Sequence, residues 1–116
     1  MKIAHNGTLM RIYLQESARY KNRAALGAIV EALAAAGIAG ATAFKGIEGF
    51  GASGAISPGW SPDAWVDLPI LVEVVDEDDK IRSFLPLLET ILDDGLVTLE
   101  RVETLLLRTA SESAGP

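Results

Sequence analysis

One order of elements runs through this chain twice, and that repetition restricts the fold more than any single motif. From Thr8 to Leu14, TLMRIYL sets Met10, Ile12 and Leu14 on one face and Leu9, Arg11 and Tyr13 on the other, the period of a strand. Arg23 to Ala36 then places Leu26, Ile29, Val30 and Leu33 at helical spacing among helix-favouring alanines, and Gly37 follows as a left-handed cap. After Ile38 a returning strand is expected from Gly40 to Ile47. The second half begins with LPILVEVVD, Leu68 to Asp76, so apolar and β-branched that it is expected to be central and covered on both faces. Asp76 is the expected N-cap of a second helix, in which Ile81, Phe84, Leu85, Leu88, Ile91 and Leu92 keep helical spacing. Pro86 should bend that helix and Gly95 should cap it, before LVTLERVETLLL returns as a strand from Leu96.

Two strand–helix–strand units in series predict a ferredoxin-like α+β fold (βαββαβ), an antiparallel four-stranded sheet with two helices on one face. Residues 1–108 are expected to form this single domain, and 109–116, the polar TASESAGP, a disordered tail. The helices leave the other sheet face bare, where Ala41, Ala43, Leu71 and Val75 are expected to add to an apolar patch. Hydrophobic residues make up 49% of the chain, so the expected cover for that face is oligomerisation.

Composition removes several classes of function. Cysteine is absent, which excludes a disulfide framework, a thiolate metal site and a thiol nucleophile. The one histidine, His5, is expected in a loose terminus, with no fixed partners for catalysis or metal binding. A formal charge of −6 opposes nucleic-acid binding. No apolar run approaches the roughly 20 residues of a bilayer span, and MKIAHNGTLMRIYL has no signal-peptide core. A cytoplasmic protein without direct membrane insertion is therefore expected. The acidic run DEDDK is expected to favour a helix N-terminus rather than a cation.

Between the halves, Pro58, Gly59 and Pro62 argue against regular structure, so residues 48–66 read as one long loop. Connections of that length usually carry function. Gly49 to Gly54 spell G-x-G-x-x-G, but a dinucleotide grip needs a helix to start at the third glycine. Gly54 leads instead into Ala-Ile-Ser-Pro-Gly, which sets that reading aside. Two readings of Gly46, Gly49, Gly51 and Gly54 stay open: backbone freedom at positive φ, or an anion nest of N–H groups formed when the loop is ordered. Lys45 is either a solvated strand-end cation or a phosphate contact. Glu16, Ser17 and Lys21 are either ligand contacts for a ribose or phosphate, or a segment entering the helix. Arg11 is expected in a salt bridge across a subunit boundary. Phe50, Trp60 and Trp65 are the candidate partner contacts, because aromatic residues in a polar loop suit an interface.

RIYLQES, GIAGATAFKGIEGFG, DLPILVEVVD and GLVTLE, in a stretch from about Leu9 to Glu103, resemble the bacterial PII-like family known as domain of unknown function 190. The resemblance implies a PII-like homotrimer with clefts between subunits and a long loop after the second strand. In PII proteins generally those clefts bind adenine nucleotides and the loop contacts a target protein. A regulatory protein rather than an enzyme is therefore implied. No cofactor is required; ATP, ADP or AMP is the candidate ligand, and a membrane transporter or channel the candidate target. Two departures matter. Asp93 and Asp94, in LDDGL, stand where PII proteins carry a glycine- and lysine-bearing phosphate grip, and ISPGW stands where members of this branch often carry a histidine. The alternatives are a small enzyme acting at the same clefts and a structural oligomer without a ligand.

Overall fold

The computed structural model describes residues 2–50, 56–58 and 67–107. Expectations for Gly51, Gly54, Trp60, Trp65 and the tail lie outside the described residues. In chain order the elements are β1 (Lys2–Gln15), β2 (Arg19–Tyr20), β3 (Arg23–Ala24), α1 (Ala25–Ala35), β4 (Ala41–Lys45), β5 (Glu48–Phe50), β6 (Ile56–Pro58), β7 (Pro69–Asp76), α2 (Asp78–Ile91) and β8 (Leu96–Leu107). Four strands form the main sheet in the order β4-β7-β1-β8, with every neighbouring pair antiparallel. This is the ferredoxin-like arrangement, with β7 and β1 at its centre.

The strand period explains the core. Met10, Ile12 and Leu14 of β1 lie on the same face as Ile70, Val72 and Val74 of β7, and all six are buried. Ala25, Ala28, Ile29 and Leu33 of α1 and Ile81, Phe84, Leu88 and Ile91 of α2 complete the cluster, which places both helices on that face. The buried stripe of α1 is turned toward its alanines. Val30, expected inside, is 40% exposed, because it lies beside the buried stripe of Ala25, Ala28, Ile29 and Leu33 rather than on it. β7 is central as expected, but among the described residues it is covered on one face only: Val75 is exposed, while Leu71 and Glu73 are half-buried.

Gly37 caps α1 with φ +76, its N–H donating to the Ala34 carbonyl (3.1 Å) and the Ile38 N–H to the Leu33 carbonyl (3.2 Å). This satisfies two carbonyls at the end of α1 and draws Ile38 onto the core. Gly95 behaves differently from the expected cap. α2 ends earlier, at an extended Leu92, and a Cβ at position 95 would lie 2.7 Å from the Tyr13 carbonyl oxygen. Glycine there permits close approach of two backbones. Asp76 does not cap α2, whose N-cap is Glu77; instead its carboxylate accepts the N–H groups of Glu77 (2.7 Å) and Ala39 (2.9 Å). It thereby ties the exit of α1 to the entry of α2. Pro86 sits at an exposed position within α2, so its missing N–H faces water rather than the core.

Two further expectations are corrected. His5 lies in β1 and not in a loose terminus: it pairs with Thr104, whose hydroxyl donates to the His5 carbonyl at 2.9 Å. β7 pairs with β1 only from Thr8 to Gln15, so Lys2 to Gly7 and Val102 to Leu107 form a two-stranded arm beyond the sheet. The loop after β4 contains regular structure, since β5 and β6 pair through Glu48–Pro58, Gly49–Ser57 and Phe50–Ile56. The segment before α1 also folds back, as a β2–β3 hairpin whose turn residues Lys21 (φ 46) and Asn22 (φ 66) both have positive φ.

At the first turn of α2 the Thr8 hydroxyl donates to the Asp78 carboxylate (2.7 Å), and Arg82 Nε donates to the same group (3.0 Å). The Thr8 hydrogen bond, then Arg82, hold the Asp78 carboxyl below its ordinary range. A depressed folded-state pKa contributes stability above the unfolded value, and that contribution is lost as pH falls through the folded value. Thr8→Val should therefore lower Tm near neutral pH, and its gap from the parent should shrink toward about pH 3, below the ordinary carboxylate range. Thermal melts at stepped pH check this; a gap that does not change with pH would assign the loss to packing alone.

Candidate functional site

The antiparallel pairing of β1 with β7 brings the end of the first strand to the start of the third, and so to both roots of the long connection between β4 and β7. Gln15 is opposite Pro69, and Lys45 is opposite Ile70. Beyond the paired residues, the Glu16 N–H donates to the Leu68 carbonyl at 2.9 Å. Ser17 grips Asp67 twice, through its N–H (2.9 Å) and its hydroxyl (2.6 Å). On the other root, the Lys45 ammonium is ion-paired with the Glu16 carboxylate. The Gly46 N–H closes the ring by donating to the Pro69 carbonyl at 2.7 Å.

Of the residues singled out in the sequence, Lys45, Gly46, Glu16 and Ser17 thus share one cluster, and Gly49 joins it through Pro69. Gly46 and Gly49 do not have positive φ. A Cβ at position 46 would lie 2.7 Å from Pro69 Cγ, and one at position 49 would lie 3.1 Å from it. Glycine lets the departing chain lie flat against this proline. Lys21 is held apart from these contacts: its ammonium lies 5.3 Å from the centre of the Tyr20 ring. Phe50 is 71% exposed on β5, the outward hairpin.

Asp67, Pro69 and Gln15 are members of the cluster that residue-by-residue reading missed. Their signal lay in the topology, since an antiparallel β1–β7 pair must set the residues after Leu14 beside those before Ile70. Gln15 Oε1 is buried without a hydrogen-bond partner among the described residues. A buried acceptor left in that state costs about 1–3 kcal/mol. With Glu16 and Asp67 beside one lysine, the cluster holds more negative than positive charge. The Lys45 ammonium is matched by Glu16 and the Ser17 hydroxyl by Asp67.

Arg11 does not wait for another subunit. On the face away from the helices it bonds Glu73 (3.1 Å) and Glu100 (3.3 Å) of its own chain. These partners, Glu73 first, raise the guanidinium pKa further above its ordinary value. Ala41 and Ala43 also lie on the opposite face from the one expected, since they stand opposite Val74 and Val72. The bare face instead carries Phe44 beside Leu71 and Tyr13.

The fold is that of PII-like proteins. The chain superposes on CPII, a nitrogen regulatory PII-like protein from Thiomonas intermedia K12 bound to ADP, AMP and bicarbonate. The TM-score is 0.61 at 16% identity, covering 88% of this chain and 91% of that one. Residues 7–104 match the family model described as "Uncharacterized ACR, COG1993", domain of unknown function 190, and the chain belongs to that family. It is 32% identical to a UPF0166 protein of Aquifex aeolicus over 85% of this chain and 93% of the relative. It is 34% identical to a UPF0166 protein of Methanocaldococcus jannaschii over 78% and 84%, respectively. Among the described residues no helix is long and apolar enough to cross a membrane.

Proposed function

We propose that this protein is a cytoplasmic PII-like regulator: a homotrimer that binds an adenine nucleotide, ATP, ADP or AMP, in its intersubunit clefts and signals to a target protein through the long connection. The observation that carries the reading is that both roots of that connection meet at one polar cluster containing Lys45. A ligand held there touches the base of the segment that would meet the partner, so occupancy and loop position share the same contacts. The likeness to a PII-like protein solved with ADP and AMP supports the choice of ligand. The chain has no cysteine, and His5 sits in the β1–β8 arm, which supports a regulator over an enzyme. A membrane transporter or channel is the proposed class of target, with exposed Phe50 as a contact.

The test is Lys45→Ala. A charge-assisted hydrogen bond to phosphate contributes about 1.5–3 kcal/mol, so calorimetry should find ADP bound roughly tenfold to a hundredfold more weakly. The oligomeric mass should be unchanged, because Lys45 is an exposed residue at the end of an edge strand. Parent-like affinity would remove Lys45 from the ligand's contacts, and product formed on incubation with ATP would favour an enzyme.

A further inference from the structure

The cluster is closed upon itself. Lys45, the one cation there among the described residues, is taken by Glu16, while the backbone N–H of the same Glu16 holds Leu68 and its neighbour Ser17 holds Asp67. Two consecutive residues at the end of β1 therefore clasp the departing root of the long connection with a side chain and the returning root with backbone and hydroxyl. The two grips differ in kind. Ser17 and Asp67 are joined by two hydrogen bonds to a carboxylate, whereas Glu16 and Lys45 are joined by one ion pair between side chains 42% and 54% exposed. Exposed pairs of that kind contribute little and exchange partners readily. An incoming phosphate would also meet the Glu16 and Asp67 carboxylates at short range, and like charges so placed repel.

We infer that Glu16 is a built-in competitor for the Lys45 ammonium: an anionic ligand binds by replacing the Glu16 carboxylate, which loosens the departing root, leaving it the Gly46–Pro69 hydrogen bond, while Ser17 and Asp67 keep the returning root fixed. The inference rests on the ligand reading proposed above, and adds that affinity is set by an exchange of anions rather than by filling an open site. It also gives binding a direction, because only the β4 side of the connection loses a contact.

Calorimetry with ADP as the probe tests this on the parent, Glu16→Gln, Lys45→Ala and the double variant. Removing the competitor should tighten ADP binding by about two- to fivefold, the equivalent of one exposed ion pair. In the Lys45→Ala background the same substitution should give no such gain. Glu48→Gln, which removes an equal charge from β5, should change affinity less than Glu16→Gln. Unchanged or weaker binding by Glu16→Gln overturns the inference, as does a gain that persists without Lys45. If neither the parent nor Glu16→Gln binds ADP, the ligand reading falls. The clasp is then read by hydrogen exchange of the free proteins. Amides of residues 44–50 should exchange about two- to fivefold faster in Glu16→Gln if the ion pair holds that root, and equal rates overturn it.

Discussion

Replacing Ile12 with alanine is expected to destabilise the fold by about 2–5 kcal/mol, the largest effect of any single truncation considered for this chain. Ile12 is fully buried at the middle of β1, with Val72 opposite on one side and Val97 on the other. Ile29 of α1 and Ile81 of α2, both fully buried, belong to the same cluster, so the vacated volume is walled by four elements that cannot all move inward together. Since domains of this kind are stable by only about 5–15 kcal/mol, such a loss is a large share of the total. Val30→Ala is the natural comparison. Val30 is 40% exposed on α1, and its truncation should stay within about 0.5 kcal/mol. Urea titrations at one fixed chain concentration should show a lowered midpoint for Ile12→Ala with an unchanged slope. A midpoint equal to that of Val30→Ala would mean that the two helices do not rest on this strand.

How much of this was legible in the sequence depends on whether the signal was local. Met10, Ile12 and Leu14 announce their face through strict alternation, and Gly37 announces a helix end because only glycine enters the left-handed region freely. The two central strands and both helices follow from such patterns. His5, Asn6 and Gly7 carry no strand signal of their own, and they extend β1 only because Val102 to Leu107 pair with them. Tertiary partners override weak local preference. Gly95 looked like a cap from its place after a helix, yet what it serves is the close passage of Tyr13, a neighbour remote in sequence.

The site divides in the same way. Lys45 and Gly46 are suspect because they open a glycine-rich connection, Glu16 and Ser17 because they follow the first strand as possible ribose or phosphate contacts, and the structure brings the four together. That Glu16 is the partner of Lys45, and Asp67 of Ser17, is a matter of strand register, which sequence spacing alone does not give. Arg11 shows the opposite error. A lone arginine on a bare strand face suggests a partner in another subunit, but the sheet supplies Glu73 and Glu100 from the strands on either side.

That bare face leads to the second large effect, on assembly. Tyr13, Leu71 and Phe44 form a row across three adjacent strands on the side away from the helices, with Tyr13 39% and Phe44 48% exposed. Val75 continues the patch on β7, and among the described residues both helices pack on the other face. Burying each large apolar side chain of this kind contributes about 1.5–3 kcal/mol. Arg11 already holds both Glu73 and Glu100, so a second copy meets an apolar row beside an ion cluster that keeps one net negative charge. Leu71→Asp places a carboxylate in the middle of the row, opposite Tyr13 on one strand and Phe44 on the other, with no cation assigned to it. Taking an unpaired carboxylate out of water costs several kcal/mol, and a three-fold assembly would incur that cost in every subunit. Light scattering should therefore give three chain masses for the parent and one for Leu71→Asp, while the circular dichroism of the variant stays that of a folded chain. ADP binding should disappear with the trimer if the clefts lie between subunits, and persist in the monomer if the Lys45 cluster suffices by itself. A parent that is already a monomer, or a Leu71→Asp protein that stays trimeric, would take this face out of the assembly and with it the proposed position of the clefts.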